Sequence, residues 1–354
     1  MSVSPELVLS ALRNVMDPDL GRDIVTLGFV KDLRVEGAHV SYTIELTTPA
    51  CPVKDDLKAQ AEALTAQLPG VETVSVEMTA QVRGQQNTGP LIPGVAHVVA
   101  VASGKGGVGK STVSCSLAAA LAQTGARVGL VDADIYGPSI PLMMGTGTEK
   151  PRVVDQRILP VERHGIKLMS IGFFVEEDKA VVWRGPMIGK ALNQFLGDVD
   201  WGELDYLVVD LPPGTGDAPM SLCQLIPISG VVVVTTPQDV ARSIARKSVM
   251  MFRELERGLG RNMPILGVVE NMSGFVCPCC GEETPLFLPG GGRRSAEELG
   301  VPFLGSVPLD PAVTLGGDCG VPAILTAPDS RQAESFREIA GRVASEISRR
   351  VHHA

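Results

Sequence analysis

Residues 104–111 read GKGGVGKS and fit the pattern G-x-x-x-x-G-K-[S/T]. The flanks give this pattern its force. An apolar, β-branched run at 98–101 precedes it, and a helical stretch from Ser111 to Gln123, closed by Gly125, follows it. A strand that turns through glycines into a helix aims backbone N–H groups at one spot, at the positive end of the helix. Phosphate oxygens bind there. Lys110 then reaches the terminal phosphates, and the Ser111 hydroxyl is placed for Mg²⁺. A glycine-rich turn without a ligand is the bland alternative, and the strand–loop–helix context argues against it.

Further apolar runs at 128–131, 206–209, 231–234 and 265–269 are separated by helical stretches. Several are continuously apolar, the pattern of parallel strands covered on both faces. The expected fold is therefore α/β, a doubly wound, mostly parallel sheet. Asp210 ends one run and stands where a carboxylate holds a water of Mg²⁺. Asp132 and Asp134 follow the run at 128–131 and so reach the same sheet edge. Asp132 is assigned to the Mg²⁺ side and Asp134 to the attacking water. Strand-end carboxylates also serve as helix caps, which is the competing reading for each.

At about 150 residues per domain, 354 residues suggest two domains. Residues 1–84 read as a small α+β domain. Ser4 and Pro5 open a helix, Val40, Tyr42, Ile44 and Leu46 alternate as a strand, and a helical stretch from Val53 to Leu68 and a second strand follow. Residues 85–94, polar and rich in Gly and Pro, read as a linker, and 95–354 as the phosphate-binding domain. Apolar residues make up 44% and the net charge is −9, which argues against a broad electrostatic grip on nucleic acid or anionic lipid. No apolar run approaches a membrane span of about 20 residues, and no signal segment opens the chain, so a cytoplasmic location is expected.

Seven cysteines, unevenly spread, do not make a secreted disulfide framework. Cys277 and Cys280 form C-x-x-C in a loop beyond the run at 265–269, on the nucleotide's side of the sheet. A Cys₄ site for zinc or a [4Fe–4S] cluster needs four thiolates. A symmetric dimer brings two copies of the pair together. A shared zinc, a redox dithiol and inert thiols are the alternatives.

Lys105, a second lysine inside the loop, makes the sequence resemble the deviant Walker-A ATPases, with K-G-G-x-G-K-[S/T] matched by residues 105–111. In that class the extra lysine crosses a dimer interface to the partner's nucleotide. The resemblance narrows to the Mrp/ApbC family of iron–sulfur cluster carrier ATPases. The matching stretches are residues 104–112 (Gly104, Lys105, Gly106, Gly107, Val108, Gly109, Lys110, Ser111, Thr112), VDADIYGPSIP at 131–141, RGPM at 184–187, DYLVVDLPPGTGD at 205–217, and NMS at 271–273 leading into C-P-x-C. It implies ATP and Mg²⁺ on the loop, Asn271 against adenine, and a homodimer with a bridging [4Fe–4S] cluster on Cys277 and Cys280 of each chain. Cys279 fills the variable position and is read as a bystander. It also implies an iron–sulfur donor scaffold and apo-protein acceptors as partners. Residues 17–28 and 47–52 resemble the small domain found in iron–sulfur assembly proteins. Cys51 there is either a reactive thiol at a helix N-terminus or a packing residue; Cys115, Cys223 and Cys319 are read as structural.

The expected function is ATP-dependent cluster carriage and transfer. One alternative is an electron donor resembling the nitrogenase iron protein, whose cysteines are well separated and not in one loop. The other is a MinD- or partition-type positioning ATPase. Phe336, Ile339, Val343, Ile347 and Val351 mark one face of a terminal helix, which either packs on the sheet or meets a membrane.

Overall fold

The computed structural model describes residues 3–82, 84, 92–135, 137–147, 149–174, 193–260, 262–277, 279–288 and 290–353. Most of the expected linker, Tyr136, Pro278 and the RGPM stretch from Arg184 to Met187 lie outside the described residues. The chain divides into two units, Met1–Arg83 with Ala344–Ala354, and Gly84–Val343. The last eleven residues thus group with the N-terminal unit.

In the first unit, α1 (Pro5–Leu12) is capped by Ser4, whose Oγ accepts from Leu7 N at 3.3 Å, with Pro5 in the first turn. Two-residue strands β1 (Met16–Asp17) and β2 (Arg22–Asp23) pair antiparallel. Strands β3 (Val30–Glu36) and β4 (His39–Leu46) form an antiparallel pair. Helix α2 (Lys54–Ala66) then carries the chain over to β5 (Thr73–Ala80), parallel to β4. Along β4 every second residue, Val40, Tyr42, Ile44 and Leu46, is buried against Leu12 and Leu57 of the helices. From the C-terminal segment, Arg349 donates to Asp19 O at 2.9 Å and Asp19 Oδ1 at 3.0 Å, and Thr47 donates to Ser348 Oγ at 3.1 Å.

The second unit opens with β6 (Val95–Ser103), α3 (Lys110–Gln123), β7 (Val128–Asp132) and α4 (Ile140–Met143). Short strands β8 (Arg152–Val154), β9 (Arg157–Leu159), β10 (Val161–Arg163) and β11 (Ile166–Ser170) follow. Then come β12 (Leu204–Asp210), α5 (Asp217–Leu225), β13 (Gly230–Thr235), α6 (Asp239–Leu259), β14 (Ile265–Val276) and β15 (Glu283–Thr284). The chain closes with α7 (Gly291–Leu299), β16 (Phe303–Leu309), α8 (Pro311–Asp318), α9 (Ala323–Thr326) and α10 (Arg331–His353).

Among the described residues, nine strands form one sheet in the order β10-β11-β7-β12-β6-β13-β14-β15, with β16 also on β14. Seven run parallel; β10 and β15 are antiparallel edges. β7, β12 and β13 are buried at every residue, as strands covered on both faces must be. β6 lies between β12 and β13, so the strand order reverses there and a crevice opens past its C-terminal end. The 104–109 loop stands at that crevice. Phe336, Ile339, Val343 and Ile347 of α10 are buried, so the apolar stripe is spent on packing. No helix among the described residues is long and apolar enough to cross a membrane.

Candidate nucleotide site and cysteine hairpin

The loop between β6 and α3 owes its shape to glycines. At Gly104 a Cβ would lie 2.7 Å from the backbone of Ile244, so α6 can approach only a bare Cα. Gly109 has φ +79°, in the left-handed region, and its missing Cβ leaves room for the Asn271 side-chain amide. Gly106 and Gly107 face open space. Asn271 Nδ2 donates to Val108 O at 2.9 Å, tying β14 to the loop.

Lys110, at the first position of α3, is 6% exposed. Its Nζ lies 2.8 Å from Asp210 Oδ1 and 3.7 Å from Asp134 Oδ2. Asp210 also accepts from Ser111 Oγ at 2.6 Å and Ser114 Oγ at 2.7 Å. Register brings the acidic groups together: Asp210 pairs with Asp132, and Asp132 with Ser170. Asp132 is fully buried and accepts from Asp134 N at 3.2 Å, Ile140 N at 3.2 Å and Ser170 Oγ at 3.0 Å. Burial, with the charge of Asp210 added, pushes its carboxyl up to about 7. The site thus holds one buried ammonium among three carboxylates and three hydroxyls, a cluster of hard oxygen donors beside the glycine loop.

Lys105 is half-buried at the loop's outer side, its Nζ 3.4 Å from Gln238 Oε1. On the far side of the loop a cavity of about 230 Å³ is lined by Gly109, Thr112, Met143, Asn271, Met272 and Leu309, among others. Ser114, Ser170, Gln238 and Gln332 also belong to the site, beyond the residues that the sequence motifs mark. Ser114 carried a signal, since it stands four residues after Lys110 on one helix face. Ser170 and Gln332 come from strands and helices remote in sequence, and nothing local marks them.

Strand β14 runs on past Asn271 to Val276 and turns back into β15. The turn is closed by Cys277 N donating to Glu282 O at 2.9 Å and Gly281 N to Cys277 O at 2.8 Å. Cys277 is half-buried, and Cys279 and Cys280 are exposed. Backbone N–H groups of Cys279 and then Cys280 aim at the Cys277 sulfur, with the Cys280 thiol adding to them, and hold that thiol below its ordinary range. Such donors favour a thiolate, the form that ligates metal. Among the described residues no third His, Cys, Asp or Glu joins the cysteine pair in a group that could hold a metal ion. Cys51, in contrast, packs against the core of its unit, and burial pushes its thiol up to about 11. Between the two readings of Cys51, this favours packing: α2 has no side-chain cap at Val53 and the thiol is shielded. Cys115 and Cys223 are buried, while Cys319 is exposed at the turn after α8.

A strand–glycine loop–helix at the switch point of a parallel sheet, with a buried lysine on a strand-end aspartate, defines a P-loop NTPase. Comparison with known proteins agrees and goes further. The family described as NUBPL iron-transfer P-loop NTPase matches residues 94–344, and the iron–sulfur cluster assembly protein family matches residues 5–77. The chain belongs to this family of iron-transfer P-loop NTPases. An iron–sulfur cluster carrier protein of Deinococcus radiodurans is 46% identical over 347 residues, 98% of this chain and 96% of that one. A solved nucleotide-binding protein of Archaeoglobus fulgidus, in complex with ADP, is 41% identical and aligns over 65% of this chain and 88% of its own, with a TM-score of 0.57. A cell-division ATPase MinD of Pyrococcus furiosus shares the fold at 22% identity and a TM-score of 0.50, over 70% of this chain and 98% of its own.

Proposed function

We propose that this protein is an ATP-dependent carrier of a [4Fe–4S] cluster, held between two copies of the chain and passed to apo-proteins. One observation carries the reading. Strand β14 touches the phosphate-binding loop through Asn271 and ends, six residues later, in the hairpin of Cys277 and Cys280. Nucleotide site and thiol pair are two points on one strand.

The pair supplies two thiolates, and a two-fold axis supplies two more from a second copy. Cys279 stays a bystander at the hairpin tip. The triphosphate lies on the backbone N–H groups of residues 104–109, with Thr112 beside it, and the base enters the cavity against Asn271. Lys110 leaves Asp210 for the β- and γ-phosphates. Ser111 and, through water, Asp210 would hold Mg²⁺, with Asp132 behind them; hydroxyl and carboxylate oxygens suit that ion. Bound Mg²⁺ neutralises charge on the phosphates. Asp134, held by its N–H on Asp132, orients the attacking water. Lys105 Nζ meets the neutral amide of Gln238 in its own chain and is available to reach the second copy's nucleotide.

ATP can alter the hold on the cluster only if the cluster binds the two nucleotide states with different affinity. β14 offers the means. Between Asn271 and Phe275 its register against β16 slips, and Met272 there has φ +59°. This irregular stretch lies between the two sites, where a small shift of Asn271 changes the hairpin's aim.

Anaerobic reconstitution with iron and sulfide tests the proposal, with Cys277→Ala and Cys280→Ala alongside. It predicts about four irons per pair of chains, broad visible absorption, and loss of both in either variant. A colourless protein with one zinc per pair would overturn the cluster. A cluster that stays bound while electrons move to an acceptor would favour the electron-donor alternative.

A further inference from the structure

We propose that Gln332 selects the base: its Oε1 accepts a hydrogen bond from the 6-amino group of a purine in the cavity, so the site takes 6-aminopurines and turns away 6-oxopurines. This rests on the reading above that a nucleotide base occupies the cavity.

Gln332 lies in the first turn of α10, which Ser330 caps by accepting from Ala333 N at 3.1 Å. It is 3% exposed and lines the cavity together with Asn271, Met272 and Leu309. Its Nε2 donates to Pro308 O at 3.2 Å. A carbonyl can only accept, so this bond settles which way the amide points; the reverse orientation would set oxygen against oxygen. Oε1 is then left buried without a hydrogen-bond partner. Buried acceptors are almost always paired, and an exception beside a ligand cavity points to a donor that arrives with the ligand.

The chemistry of the donor follows. Position 6 of adenine carries an N–H donor, and position 6 of guanine or hypoxanthine carries an acceptor. A fixed Oε1 attracts the first and repels the second. Asn271 Nδ2 is engaged by Val108 O, which leaves its Oδ1 in the same cavity as a rival acceptor. Asp318, an exposed carboxylate, lines the same cavity and is a second rival.

The test is calorimetric binding of ATP, inosine triphosphate and purine riboside triphosphate to the full-length chain. The last carries only hydrogen at position 6. Wild type should bind ATP about tenfold more tightly than either analogue, the worth of one ordinary hydrogen bond. Gln332→Leu should bring the three within about twofold while keeping the affinity of purine riboside triphosphate, which also shows that the variant folds. Equal binding of ATP and purine riboside triphosphate by wild type would overturn the proposal without any variant. So would an ATP preference that survives Gln332→Leu or disappears in Asp318→Asn. Leu309→Trp, which fills the cavity, separates the two levels. If it leaves all three affinities intact, the base lies elsewhere and the underlying reading fails. If it weakens all three while Gln332→Leu leaves their ratio unchanged, only the role of Gln332 fails.

Discussion

Replacing Asn271 with Ala cuts the link between β14 and the phosphate-binding loop. The side chain is 6% exposed, Val108 is 2% exposed, and one 2.9 Å bond joins them. The substitution leaves a buried carbonyl without its donor, at a cost of about 1–3 kcal/mol. That energy now favours loop conformations other than the one that presents its N–H groups to phosphate. Apparent affinity falls with the fraction of binding-competent loop. An energy of this size corresponds to a Kd weaker by about 5- to 150-fold. Titration calorimetry with ADP on the cluster-free protein reads it directly. The same variant should lose any effect of nucleotide on the alkylation rate of Cys277, because the strand no longer reports on the loop. A Kd within about twofold of wild type, with nucleotide still altering Cys277 reactivity, would refute the reasoning.

Three further expectations concern Cys277, Gly109 and Lys105. In the cluster-free protein at pH 8, iodoacetamide should label Cys277 before Cys51, as read by peptide mass spectrometry. The lowered pKa of Cys277 keeps thiolate available as pH falls, whereas a pKa of about 11 leaves Cys51 only about one part in a thousand ionised. Gly109→Ala should abolish nucleotide binding while the fold's circular dichroism persists, because it combines φ +79° with a collision against the Asn271 amide. Lys105→Ala should leave ATP affinity within a few-fold but reduce hydrolysis in the dimer on the order of 10³-fold, as loss of a cation supplied in trans does.

Much of this architecture can be read from pattern. The continuous apolar runs at 206–209 and 231–234, short and rich in β-branched residues, are parallel strands covered on both faces. Val40, Tyr42, Ile44 and Leu46 alternate because one face of their small sheet meets helices. Other features escape local pattern. β3, with Lys31, Asp32, Arg34 and Glu36, is half solvated and carries no clean alternation in its sequence. The hydrogen bond of Ser170 to Asp132 depends on strand register, and that of Gln332 to Pro308 on how α10 meets the end of β16. Cys51 shows a local rule losing to tertiary context. Its place before α2 suggests a lowered pKa, but burial dominates and raises it. The end of α10 carries no sign in its sequence that Arg349 will bond to Asp19.

In the proposed function, nucleotide state sensed at Asn271 sets the grip of the cysteine hairpin on its cluster. The most direct measurement is the rate at which the reconstituted protein loses its cluster to an excess of chelator, without nucleotide, with ADP and with a non-hydrolysable ATP analogue. The rates should differ by at least about fivefold between nucleotide states, the lower end of ordinary coupling between sites, and Asn271→Ala should abolish the difference. Identical rates in all three states would contradict that coupling.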